Sequence, residues 1–173
     1  YLDTQYYGGI KKYQWVTMPL ALHGVIAKKD GTVIKVNIGE DPSDPVFFIS
    51  DLLIHLAQDQ MQLTATKLID GENMDIVFGT QPLDSESESA VKANVLKLLK
   101  DKYDVEEDDF WSAEIEAVPA GRAREAGLDR SLILGYGHDD RSCAYASAIA
   151  LFEVENPKTT TCGLFVDKEE IGS

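Results

Sequence analysis

Two alternating apolar runs separated by Asp30-Gly31 constrain the fold of this 173-residue chain more than any other feature. His23-Gly24-Val25-Ile26-Ala27-Lys28-Lys29 and Thr32-Val33-Ile34-Lys35-Val36-Asn37-Ile38-Gly39 each show the period of two expected of a half-buried strand. Asp-Gly between them favours the backbone of a tight turn, so the sequence predicts an antiparallel hairpin. Pro42 and Pro45 break the pattern, after which Val46-Phe47-Phe48-Ile49 reads as another strand. Further strands are expected over 13–18, 74–79 and 112–118, and a third block starting near Gly121 carries Leu132-Ile133-Leu134.

Ser50 is placed to cap a helix over 51–58. A second helix is expected over 90–103, where Val91, Val95, Leu98 and Leu99 share one face at i, i+4, i+7 and i+8. It follows a polar, acidic loop, Asp84-Ser85-Glu86-Ser87-Glu88-Ser89. Val105-Glu106-Glu107-Asp108-Asp109 reads as an acidic connector without a buried frame that would make it a metal site.

Charge narrows the functional classes. A formal net charge of −14 argues against nucleic-acid binding, which needs clustered Lys and Arg, and against docking on anionic membranes. There is no apolar stretch of about 18 residues for a membrane span, and the start does not read as a signal peptide. The two cysteines, Cys143 and Cys162, sit in a helix-like and a strand-like run that both look buried. They are not a ligand-spaced pair, so they read as small core residues in a reducing cytoplasm.

The chemistry concentrates in the last third. Gly135-Tyr136-Gly137-His138-Asp139-Asp140-Arg141 is a glycine-punctuated turn that opens into an alanine-rich helix, 142–152, apolar nearly all round and therefore expected to be buried. Asp139 and Asp140 suit a helix N-terminus as capping acids. Beside a histidine they also make a hard-metal ligand site. The chain then reaches a strand-like run, 161–166, followed by Asp167-Lys168-Glu169-Glu170-Ile171-Gly172-Ser173. An isolated Glu-Glu pair is ordinarily a solvated turn. At the carboxyl end of a buried strand, however, adjacent carboxylates point in different directions, so one can bind a metal while the other addresses a water.

Together these segments resemble the aspartyl aminopeptidase (aminopeptidase I) family of dinuclear zinc exopeptidases. The resemblance rests on Tyr6-Tyr7-Gly8-Gly9-Ile10 with Trp15 behind it, on Gly137-His138-Asp139-Asp140-Arg141 and on Asp167 through Ser173. The middle of the chain, from Asp30-Gly31 through Ile38-Gly39-Glu40-Asp41 to Ile49-Ser50-Asp51-Leu52, reads like the same family. It implies a zinc-exopeptidase catalytic α/β domain interrupted by a β-rich α+β dimerisation domain. Residues 1–18 and 121–173 would belong to the catalytic domain and 19–120 to the dimerisation insert.

Carried over by position, the resemblance implies Asp139 as the aspartate bridging two metal ions, with a cis peptide between Asp139 and Asp140. It makes Glu169 the general base and Glu170 a terminal metal ligand. The family also brings a histidine from the insert into the neighbouring subunit's active site. His55 is the best match, against the ordinary reading of a core or helix-surface histidine. His23 and His138 are weaker matches, the latter either supporting a ligand or an ordinary loop residue. The expected cofactor is zinc, two ions per site, with cobalt or manganese accepted by such carboxylate-rich sites.

The family pattern also needs a histidine-containing ligand motif before Tyr1, and an aspartate and a histidine after Ser173. The resemblance therefore implies an internal fragment of a longer cytoplasmic enzyme that assembles as dodecamers built from dimers and acts on peptides. This chain alone is not expected to hold the metals fully. Two functions of different class follow: a metallo-aminopeptidase for the parent enzyme, releasing an N-terminal residue such as Asp or Glu, and an inactive dimerisation module for this chain by itself.

Overall fold

The computed structural model describes residues 1–83 and 89–168. They form two compact units. The first comprises Tyr1–Tyr6 and Ile10–Gly121, and the second Tyr7–Gly9 with the chain from Arg122 onward.

The first unit is built on the expected hairpin. Strands β1 (Leu20–Ala27) and β2 (Val33–Ile38) pair antiparallel, with Ala27 opposite Val33 and Leu22 opposite Ile38. The connection is longer than a two-residue turn. The Lys28 N–H donates to the Thr32 carbonyl at 2.8 Å, and Gly31 takes a φ of 87°. The Thr32 N–H donates to Asp30 at 2.9 Å and holds that carboxyl below its usual range. Strand β5 (Ala113–Pro119) pairs with the other edge of β1, giving the antiparallel order β2-β1-β5. Just beyond that ladder the Ala120 N–H donates to the Pro19 carbonyl at 2.9 Å, so the sheet's entry and exit lie side by side.

Leu20, Leu22 and Ile38 point from this sheet into a core shared with Phe47, Ile49, Ile69, Met74 and Ile76. Two short strands, β3 (Phe48–Ile49) and β4 (Ile76–Val77), pair antiparallel beneath it, and the rings of Phe47 and Phe78 stack at 5.1 Å. The strand expected over 13–18 is instead a 3-10 turn at Lys12–Gln14 with one bridge, Val16 to Ile49. The strands expected over 46–49 and 74–79 shrink to β3 and β4, because proline and 3-10 turns on their flanks interrupt the ladder.

The second helix, α1 (Ala90–Tyr103), spans its expected residues. It ends at Asp104, whose left-handed backbone (φ 54°) lets its N–H return to the Lys100 carbonyl at 3.0 Å. Lys28, beside the hairpin turn, donates to the Asp104 carbonyl at 2.6 Å and to its carboxylate at 3.0 Å. Lys100 and Lys28 together bring the Asp104 carboxyl down to about 2.

Gly24, in the middle of β1, has no room for a side chain. A Cβ there would lie 1.9 Å from the Glu114 carbonyl oxygen of β5, against backbone that cannot swing aside, and φ is +155°. Gly24→Ala is expected to destabilise the unit by about 3 kcal/mol. Urea unfolding should show a lower midpoint at an unchanged m-value.

The second unit holds the hairpin β6 (Arg124–Ala126) and β7 (Leu132–Leu134), with Arg124 opposite Leu134, followed by α2 (His138–Phe152). Two expectations are corrected here. The alanine-rich helix buries none of its residues, and residues 161–166 form no strand. A helix apolar on all sides needs neighbours on all sides, and a strand needs a partner for its N–H and C=O groups. Neither is present among the described residues of this unit. Cys143 and Cys162 are consequently exposed rather than core residues.

Candidate metal and peptide site

The turn into α2 is the centre of the second unit's candidate site. Gly137, at φ 79°, precedes the helix, and a Cβ there would lie 2.7 Å from the Arg141 guanidinium. That guanidinium donates to the Tyr136 carbonyl at 3.3 Å. Asp139 and Asp140 are joined by a cis peptide bond, and both leave helical dihedrals, so regular helix starts after them.

The Asp140 carboxylate, with a smaller effect from Asp139, pushes the Cys143 thiol pKa up. Among the described residues no hydrogen bond engages the Asp139 carboxylate, and the residue is exposed. His138 stands apart from both: its Nε2 donates to the Ile133 carbonyl of β7 at 3.2 Å. That ring therefore fastens the turn to the hairpin.

The tyrosine-glycine motif reaches the other end of the same unit. The Tyr7 hydroxyl donates to the Lys168 carbonyl, immediately before the glutamate pair. Tyr7 carries no role in the sequence reading beyond its place in a motif. Its partner lies too far along the chain for any local pattern to reveal. Glu169 and Glu170 themselves lie outside the described residues.

His55 belongs to the first unit, and its setting corrects an expectation. Residues 51–58 are not a helix but a series of turns, with the Leu56 N–H donating to the Leu53 carbonyl at 2.9 Å. The Asp51 side chain accepts from the Leu52 N–H at 2.8 Å, and this local bond competes with a helical start. His55 is exposed and lines an open depression of about 470 Å³ with Ile54, Gln58, Met61 and Gln62. Leu52, Leu53, Ile54 and Leu56 around it are more than half exposed. His23, by contrast, is tied to Glu40 at 2.9 Å, and Glu40 also accepts from the Gly121 N–H at 3.3 Å.

Asp139 is suited to a metal: it is a hard oxygen donor, exposed and without a competing hydrogen bond. Among the described residues there is no cluster of three or more His, Cys, Asp or Glu side chains able to hold an ion. No described helix is long and apolar enough to cross a membrane.

Comparison with known proteins identifies the class. A family model described as aminopeptidase I zinc metalloprotease (M18) matches residues 1–173, and the chain belongs to that family. The probable M18 family aminopeptidase 1 of Clostridium acetobutylicum is 57% identical over 173 residues, covering 99% of this chain and 37% of the relative. A crystal structure of an M18-family aminopeptidase from Thermotoga maritima superposes with a TM-score of 0.83 at 51% identity, covering 90% of this chain and 34% of that one. The crystal structure of aminopeptidase I from Clostridium acetobutylicum gives 0.79 at 55% identity, covering 91% and 36%. The mixed α/β fold with small sheets is thus that of M18 aminopeptidases. The chain spans about 37% of the length of the curated relatives it matches.

Proposed function

We propose that the complete protein carrying this chain is a zinc-dependent aminopeptidase that releases the N-terminal residue of peptides, using two co-catalytic ions. The observation that carries this reading is the family match over residues 1–173. Asp139 would hold both ions and Glu170 one of them. Asp139 is exposed and takes part in no described hydrogen bond, which supports that choice. Bound zinc supplies Lewis acidity and brings the pKa of a coordinated water towards neutrality.

The chain's own residues do the rest. Glu169 takes a proton from the attacking water and returns it to the departing amine. The Tyr7 hydroxyl, fixed on the Lys168 carbonyl, steadies the backbone that presents it. His55 donates a hydrogen bond to the developing oxyanion in the neighbouring subunit's site. Its exposed ring, among exposed leucines, supports this role and a two-fold contact made through the same surface. Residues 19–120 serve as the dimerisation insert, with 1–18 and 121–173 in the catalytic domain. The dimers build a dodecamer in the cytoplasm, and peptides beginning with Asp or Glu are the first substrates to test.

The test is hydrolysis of aminoacyl anilides by the complete protein. Chelation should lower turnover by ~10²-fold or more, and zinc or cobalt should restore it. Full turnover after the metal has been removed would overturn the reading. This chain alone, with Asp139 and Glu170 as its only expected ligands, should remain inactive.

A further inference from the structure

From β3 to the 3-10 turn at Gly71–Asn73 the chain runs through a long irregular segment with one 3-10 turn of its own, Gln60–Gln62. Between residues 50 and 70 it buries only Ala57 and Ile69. So long a segment with so little burial has little apolar packing to hold it in one arrangement. One side chain links its two limbs. Gln60 Nε2 donates to Asp51 Oδ1 at 2.9 Å and to the Leu68 carbonyl at 3.5 Å. The same Asp51 oxygen accepts from the Leu52 N–H at 2.8 Å. The amide therefore bonds the segment's first limb and its return limb together, with His55 on the stretch between them.

We propose that Gln60 is the positioning residue for His55, closing the segment so that the backbone carrying the imidazole is held in one place. The proposal rests on the role given to His55 above. His55 has no described hydrogen bond to orient its ring. The place from which it reaches is therefore set by the backbone that carries it, and that backbone is closed by Gln60. Asp51 contributes as an acceptor, so an asparagine there, which keeps the carbonyl oxygen, preserves the link.

The experiment combines hydrogen exchange and kinetics on the complete protein. In Gln60→Ala, amides of residues 52–59 should exchange ~10-fold faster or more. The variant should lose roughly 10-fold or more in kcat with KM within about twofold, as expected when a reacting group is misplaced. His55→Phe should lose ~10²-fold in kcat. Adding Gln60→Ala to His55→Phe should cost nothing further, because both changes act through one ring. Asp51→Asn should behave like wild type in both measurements.

Unchanged exchange in Gln60→Ala, or kcat losses that multiply in the double variant, would overturn the proposal. Wild-type turnover in His55→Phe would instead remove the role of His55. The exchange measurement would then still decide whether Gln60 closes the segment.

Discussion

Asp139→Ala in the complete protein is expected to lose both metal ions and, with them, measurable turnover. A bridging carboxylate serves two ions, so its removal leaves each with one ligand fewer, and neither ion is retained as in wild type. The structure makes this a clean substitution. Asp139 is exposed, its carboxylate takes part in no described hydrogen bond, and helix α2 becomes regular only after Asp140. Metal content after dialysis, read beside circular dichroism, should fall to background while the spectrum stays that of wild type. Asp140→Asn is the control, since it changes the neighbouring acid of the same turn and not the proposed ligand; it should keep its metals. Stoichiometric zinc in Asp139→Ala would show that the bridge is made elsewhere.

Glu169→Gln should separate proton transfer from metal binding. The amide keeps the shape of the side chain but cannot take a proton, so turnover should fall by roughly 10²–10⁴-fold with the metals retained. Glu170→Gln should do the reverse, weakening metal binding first. Near-normal turnover in the Glu169 variant would mean that the two glutamates have exchanged roles.

Where pattern and partner lie close together, the sequence is readable. Helix α1 follows from four apolar residues on one face, and the β1–β2 hairpin from two alternating runs about Asp30-Gly31. Where the determining contact is distant, it is not. Leu52, Leu53, Ile54 and Leu56 suggest a helix by composition, yet they are contiguous rather than periodic, and the segment is shaped by Asp51 and Gln60 instead. Helix α2 reads as buried because its sequence is apolar all round, but the described residues of its unit leave it half-buried at most. At the site, Asp139 and Asp140 are chemically alike in the sequence. Only the family resemblance separates them.

The backbone bond between Ala120 and Pro19 has a consequence for how such a protein can change. Because the two ends of the β-sheet meet, everything between them occupies, for the chain on either side, no more span than a tight turn. Segments can be added to or removed from the intervening stretch without stretching or shifting what flanks it, and closing a longer stretch costs only slowly more entropy. The surfaces on that stretch are thereby free to diverge at a pace of their own, without displacing the chain before Pro19 or after Ala120.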